Sequence, residues 1–387
     1  MKNFDEVQLS KELISFPSVT PVDAGAINYL SKKLKKLGFK CKILEFKDKK
    51  HPPIKNLYAR IGYKQPNLCY AGHTDVVPPG NINDWTTNPF KPIIKNNYLI
   101  GRGANDMKSS IACFVSAVNE FLTKHKKFNG SISFLITGDE EAQAVNGTKK
   151  VVDYLIKKKE KIDFCIVGEP TNPNKLGEMI KIGRRGSLSG KLEIFGTQGH
   201  VAYPQLSKNP INSLVKIFSA LKAKPLDNGS KHFQPSNLEF TSINVENKAH
   251  NVIPAKASTQ FNIRYNNFHN AKSLKKKITS IVKKICKKNK TKYKIEFLTS
   301  GDSFLTKPGP TIQMAKKIIK KITKINPIFS TTGGTSDARF IKKMAPCLEF
   351  GLVNKTMHRV DEKVLIRDLK KLKNIYLEII RKFFFKC

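Results

Sequence analysis

The chain has 387 residues, enough for two domains each with its own core, and sets 70 basic against 30 acidic side chains for a formal net charge of +40. That balance raises the question of a nucleic-acid or membrane-surface partner, but lysine occurs in almost every segment, mostly on polar helix faces such as Ser273 to Lys288, and never forms one patch interleaved with aromatics. No apolar run approaches the roughly 20 residues that span a bilayer, so no nucleic acid and no membrane are expected as partners.

Only nine of the 70 basic residues are arginine. In a background that uses lysine as its default cation, a retained arginine marks a place that needs a planar, two-pronged donor. Arg184, Arg185, Arg264 and Arg339 become suspects on that ground. The cysteines at 41, 69, 113, 165, 286, 347 and 387 form no CxxC pair, and several lie inside apolar runs. They read as buried free thiols in a reducing, cytoplasmic setting. The amino-terminal stretch MKNFDEVQLSKELI is charged and amphipathic and has no apolar leader core.

Along the chain, Ile27, Leu30, Leu34 and Leu37 recur at helical spacing and stop at Gly38, a residue suited to a left-handed helix end. A strand-like stretch, FKCKILEF, follows. The short apolar runs NLCYAG, SISFLIT and IDFCIV come next, and between the first two lies a helix with Met107, Ile111, Phe114, Val118 and Leu122 on one face. Short apolar strands alternating with helices predict a sheet covered on both faces. From Leu188 the order becomes strand, helix, strand, strand, helix, strand, which is the split pattern of ferredoxin-like domains. In its fourth segment Ala257, Thr259, Phe261, Ile263 and Tyr265 alternate with polar residues, so Arg264 faces away from that core. After about residue 299 the first grammar returns, with Ile312, Ala315, Ile318, Ile319 and Ile322 on one helix and a long final helix from Asp361. The expected fold is therefore α/β: a mixed, mostly parallel sheet domain (1–183 and 299–387) interrupted by an inserted α+β ferredoxin-like domain (184–298). No internal repeat is found.

The apolar strands deliver acidic and imidazole residues to their carboxyl ends, where ligands bind in open α/β sheets. NLCYAG leads to His73 and Asp75, SISFLIT to Asp139, Glu140 and Glu141, and IDFCIV to Glu169. Imidazole nitrogen and carboxylate oxygen are the donors that borderline divalent cations prefer. His73 and Asp75, two apart in an extended chain, point the same way, so the Asp75 carboxylate is expected to accept a hydrogen bond from the far nitrogen of a ligating His73. Asp106 in GRGANDMKSS reads as a helix cap, a metal ligand, or both. The adjacent Glu140 and Glu141 can diverge, one toward a metal and the other toward a water that it deprotonates.

The strings HTD (73–75), GRGANDMK (101–108), GDEE (138–141), VGEPT (167–171) and a late His358 together resemble the co-catalytic zinc family of aminoacylases, acetylornithine deacetylase and carboxypeptidase G. The resemblance covers nearly the whole chain. It implies one metal on His73, Glu169 and a bridging Asp106, and a second on Asp106, Glu141 and His358. It makes Glu140 the acid-base group and Asp75 the partner of His73. Zinc is the metal it implies, although cobalt or manganese accepts the same donors. The inserted domain becomes a lid and dimerisation domain, and the chain a homodimer in which His200 of GTQGHVAYP, coming from the partner subunit, stabilises an oxyanion beside Asn251 of NVIPA. Arg184, Ser187, Tyr203, Arg264, Gly334, Thr335 and Asn354 match substrate-contact positions. Arg185 and Arg339 stay open, with an internal ion pair as the plain alternative. Gln205 and Ala142 depart from residues common in relatives, histidine and glycine respectively.

Within the family, RRGSLSG, GTQGHVAYP, GDSFLT, GGTSDARF and NKTMHRV resemble members acting on a succinylated diamino acid. The expected reaction is hydrolysis of the succinyl amide of N-succinyl-LL-2,6-diaminopimelate to succinate and LL-2,6-diaminopimelate, and the nearest alternative is deacetylation of acetylornithine.

Overall fold

The computed structural model describes residues 4–385. Cys387 lies outside them; of the other cysteines, Cys41 is half-buried, Cys69, Cys113, Cys165, Cys286 and Cys347 are buried, and all six are free thiols. Among the described residues no helix is long and apolar enough to cross a membrane.

The described chain divides into two compact units. The first contains the residues up to Ile182, Thr306–Ser330 and those from Ser336 onward. Its eight-stranded sheet runs in the order Lys40–Phe46, Ile54–Ile61, Ser131–Thr137, Asn67–His73, Phe164–Val167, Cys347–Glu349, Met179–Lys181, Ile328–Ser330. The strands Ser131–Thr137, Asn67–His73, Phe164–Val167 and Cys347–Glu349 are mutually parallel, while the edge strands Lys40–Phe46 and Ile54–Ile61 pair antiparallel. Every residue of Asn67–His73, Ser131–Thr137 and Phe164–Val167 is buried, as expected of strands covered on both faces. The helix Ala26–Lys36 does stop before Gly38, which adopts φ +90°.

Helix Lys108–Lys124 is buried over most of its surface and packs against Glu6–Ile14 and Ile366–Phe384. Its small residues Ser109, Ser110, Ala112, Cys113, Ser116 and Ala117 allow that depth. Behind the sheet, Tyr70 stacks on Phe114 at 4.4 Å and meets Tyr376 edge-on at 5.8 Å. The Tyr70 hydroxyl donates to Ser110 Oγ at 2.9 Å, and the Tyr376 hydroxyl donates to the Phe350 carbonyl at 2.6 Å, so these rings bury their polar atoms with partners.

The second unit comprises Gly183–Leu305 and Thr331–Thr335. Its antiparallel sheet has the order Asn237–Asn244, Lys256–Tyr265, Gly186–Phe195, Lys292–Gly301, with the helices Pro210–Lys222 and Ala271–Lys288 between strands in sequence. Its core joins Leu188, Leu192 and Ile194 to Leu214, Ile217, Phe261, Ile263, Leu274 and Ile278. Gly183 and residues 299–305 and 331–335, which the sequence reading left outside the insert, cluster with it. The strand Lys292–Gly301 continues past Leu298, Phe304–Leu305 pairs antiparallel with Gly183–Arg184, and Arg184 holds the carbonyls of Thr332 and Gly334.

The Phe261 ring lies over its strand partner Gly190, where an added Cβ would come within 2.2 Å of the ring. Phe261→Ala is expected to lower the unfolding free energy by about 3–5 kcal/mol through the cavity it leaves. The exposed Lys276→Ala should change it by no more than about 0.5 kcal/mol. Chemical denaturation of both variants checks the pair, and equal effects would contradict this account of the core.

Candidate active site

Three adjacent parallel strands end at the same level because their register aligns His73 with Thr137 and Ala71 with Val167. The chain then turns at Asp75, at Gly138–Glu141 and at Gly168–Glu169. Asp106 comes to the same place from the loop before helix Lys108–Lys124. His358 comes from a turn after the short 3-10 helix Asn354–Thr356 and holds a left-handed backbone, φ +63°. For a non-glycine residue that conformation is strained and is found preferentially at functional sites.

The Asp106 carboxylate lies between two imidazoles. Its Oδ1 is 3.2 Å from His73 Nε2 and its Oδ2 is 3.2 Å from His358 Nε2. Glu141 Oε1 stands 3.0 Å from His358 Nε2, and Glu169 Oε1 stands 3.8 Å from His73 Nε2. Donor atoms of His73, Asp106 and Glu141 fall within 4.8 Å of one another, as do those of His73, Glu140 and Glu169. A tetrahedral ion with bonds of about 2.0–2.2 Å spaces its donor atoms roughly 3.3–3.6 Å apart. The pairs seen here bracket that spacing, and the donors are the right chemical type, so the residues fit divalent ions. The cap reading of Asp106 is not realised: Met107 is the N-cap residue, no side chain caps the helix, and the Asp106 carboxylate faces the imidazoles instead.

Asp75 works differently from the expectation. His73 Nδ1 donates to the main-chain carbonyl of Asp75 at 2.9 Å, and the carboxylate is 3.6 Å away. The Asp75 carboxylate instead accepts the backbone N–H of Glu140 at 3.0 Å and of Glu141 at 3.0 Å. One residue thus sets the tautomer of His73 with its carbonyl and the turn of the glutamate pair with its side chain. Asp139, placed by the sequence at this strand end but given no role, completes that turn: its carboxylate accepts the N–H groups of Ala144, Val145 and Asn146. The signal was available, since three consecutive acidic residues are unusual in a chain with so few.

Electrostatically the site demands positive charge. Burial alone would lower the His73 pKa, but its hydrogen bond to Asp106 and the charges of Glu169, Asp106 and Asp75 raise it well above the ordinary value. His358 is pushed up to about 10 by its hydrogen bonds to Asp106 and Glu141. Burial opposes ionisation of Asp106, yet the two imidazoles hold its carboxyl well below the usual carboxylate range. Burial, then the charge of Glu169, hold Glu140 well above it. Asp75 is lifted to about 6 by burial.

The substrate-contact candidates of the second unit form two groups within it. Arg184 is buried and donates from Nη1 to Gly334 O at 3.3 Å, and Ser187 lies opposite Arg264 in the sheet register, its Oγ accepting from Asn262 Nδ2 at 3.2 Å. Thr335 follows on the Gly334 segment. His200 and Asn251 meet on the ribbon Gly199–His200 with Val252–Ile253, where Val201 N–H donates to Asn251 O at 3.1 Å. Tyr203 stands exposed nearby, its ring 5.9 Å from that of His200. Asn354, in the first unit, donates its N–H to Asn172 O at 2.8 Å. Arg185 donates to the neutral Asn237 Oδ1 at 3.0 Å. Arg339 lies 4.4 Å from the centre of the Phe340 ring, and its buried Nε and Nη1 have no hydrogen-bond partner among the described residues.

Because both imidazoles carry raised pKa values, an entering cation displaces protons from them. Its affinity is therefore expected to rise as pH increases from 6 to 8, and calorimetric titration in buffers of different ionisation heat should register net proton release. Binding without proton release would contradict the electrostatics described.

Comparison with known proteins adds the lineage. Residues 69–382 match the family model of Peptidase family M20/M25/M40. The chain is similar to a succinyl-diaminopimelate desuccinylase of Pelagibacter ubique, 65% identical over 384 residues that cover 99% of this chain and 100% of the relative. Among solved structures it is similar to an M20 family metallo-carboxypeptidase from Sulfolobus solfataricus, with a TM-score of 0.75 and 20% identity over 97% of this chain and 98% of the other. It is also similar to a dinuclear metal binding peptidase of the M20 family from Bacillus subtilis, with a TM-score of 0.71 and 14% identity over 98% and 97%. The α/β architecture and the full-length match agree: this chain belongs to Peptidase family M20/M25/M40.

Proposed function

We propose that this chain is a two-metal amidohydrolase that cleaves the succinyl amide of N-succinyl-LL-2,6-diaminopimelate, releasing succinate and LL-2,6-diaminopimelate. The observation that carries the metal chemistry is the Asp106 carboxylate turned with one oxygen to each imidazole. The full-length relative at 65% identity, named as a succinyl-diaminopimelate desuccinylase, supports the substrate. His73, Glu169 and Asp106 would hold one ion, and Asp106, Glu141 and His358 the other. Zinc suits these donors, as do cobalt and manganese. Divalent ions bound there supply Lewis-acid polarisation of the amide carbonyl and acidify water.

The chain's own residues do the rest. Asp75 and Asp139 fix the turn that carries Glu140. Glu140, its carboxyl held above the usual range by burial and by Glu169, takes a proton from the attacking water and returns it to the departing amine. His200 Nδ1 accepts the N–H of Ala202 at 3.0 Å, so the neutral ring carries its proton on Nε2, as a donor to an oxyanion requires. In this reading His200 serves the neighbouring protomer of a homodimer, with Asn251 beside it. Arg184, Ser187, Arg264, Tyr203, Gly334, Thr335 and Asn354 bind the substrate's three carboxylates and its backbone, the arginines as two-pronged donors. Such an enzyme works in the cytoplasm, where the free cysteines stay reduced.

Two measurements test the proposal. Zinc-loaded protein should turn over N-succinyl-LL-2,6-diaminopimelate in strong preference to N-acetylornithine and should lose activity to a chelator; preference for acetylornithine would overturn the substrate. Glu140→Ala should lower kcat by about 10²–10⁴-fold with metal content unchanged, and retained turnover would overturn the role of Glu140.

A further inference from the structure

The loop that carries Asp106 turns its N–H groups inward, and one buried side chain receives them. Glu362 Oε1 accepts the N–H of Asn105 at 2.7 Å and of Asp106 at 3.0 Å. Its Oε2 accepts the N–H of Gly103 at 3.1 Å and Arg102 Nη1 at 2.7 Å. The pairing of Lys363–Leu365 with Tyr98–Ile100, which sets Lys363 opposite Ile100, brings these groups together. That register leaves Glu362 facing the start of the Asp106 loop, and Gly101 N–H donates to the Glu362 carbonyl at 2.9 Å. Gly103, with φ +86°, lets the loop wrap the carboxylate; a Cβ there would sit 2.9 Å from Lys108 and Val76 side-chain atoms.

Glu362 is also four residues beyond His358. The turn between them is closed by Thr356, whose hydroxyl donates to Lys363 O at 2.8 Å and accepts Lys363 N–H at 3.1 Å. Asn105 Nδ2 donates to the Val353 carbonyl and reaches Thr356 Oγ1 at 3.4 Å. A single carboxylate therefore joins the loop of Asp106 to the loop of His358. Three N–H groups and an arginine, arriving at two oxygens, need about four acceptor sites, which a carboxylate supplies and the single oxygen of a neutral amide or hydroxyl does not. Arg102 balances the buried charge, donating also to Pro78 O and Arg359 O and lying 5.2 Å over the Trp85 ring.

We infer that Glu362, braced by Arg102, is a positioning residue for the metal centre: it presets Asp106 and His358 so that an entering ion meets its donors already in place. The inference rests on the reading of Asp106 and His358 as metal ligands. Glu362→Gln keeps one acceptor oxygen but turns an NH2 group toward N–H donors. It should weaken zinc binding, measured by competition with a chromogenic chelator, by roughly 10- to 100-fold, as expected when a group that orients metal ligands is altered. Arg102→Lys keeps the charge but not the forked geometry and should weaken binding in the same direction. Glu160→Gln, which removes the Arg60–Glu160 ion pair elsewhere in the unit, should lower thermal stability without moving zinc affinity. A purely structural Glu362 would give the Glu160→Gln pattern. Folded Glu362→Gln protein with wild-type zinc affinity overturns the inference, and if that variant does not fold, wild-type affinity in Arg102→Lys does so alone. A wild-type chain that binds no zinc overturns the ligand reading together with this one, whereas normal wild-type binding with unaffected variants overturns this one only.

Discussion

Carboxylates crowded into a site with little access to water repel one another and resist ionisation unless positive charge is brought among them. Here that charge comes from His73 and His358, whose raised pKa values are the counterpart of the lowered one on Asp106. The arrangement binds protons in the absence of an ion and is suited to exchange them for divalent cations. Glu140 sits in the same field near His73, but burial and the charge of Glu169 outweigh the imidazole and hold its carboxyl well above the usual range. The proposed division between ligands and proton carrier rests on this contrast between Asp106, held low by two imidazoles, and Glu140, held high by burial and Glu169.

Much of the first unit can be understood as support for that cluster. Fully buried parallel strands set His73, the Gly138–Glu141 turn and Glu169 at one level. Side-chain carboxylates then fix backbone at each arrival: Asp75 holds the Glu140–Glu141 amides, Asp139 the turn beyond them, and Glu362 the Asp106 loop. Side chains that bond to main-chain groups of a loop position it more firmly than contacts between flexible side chains, and such groups govern ligand orientation in metal sites.

The residues legible in the sequence were those whose signal is local. His73, Glu140, Glu141 and Glu169 follow apolar runs directly, and the alternation around Phe261 separated Arg264 from the core. What the sequence did not disclose depends on main-chain partners or distant pairing. The carbonyl of Asp75, not its carboxylate, orients His73, and no residue pattern reports a carbonyl. Glu362 escaped notice because its partners are backbone amides about 260 positions away along the chain. The insert's edges shifted because Phe304–Leu305 pairs with Gly183–Arg184 and Arg184 reaches the Thr332 and Gly334 carbonyls, contacts without local periodicity. Lys108, buried and pushed down to about 7 by desolvation, was hidden among lysines that are nearly all solvated.

In the proposed centre the Asp106 carboxylate is shared between two ions. Anomalous diffraction from crystals grown with zinc tests it most directly. Two peaks about 3.5–4 Å apart, one on each side of the Asp106 carboxylate, are expected. A single peak, or a pair that Asp106 does not bridge, would contradict it.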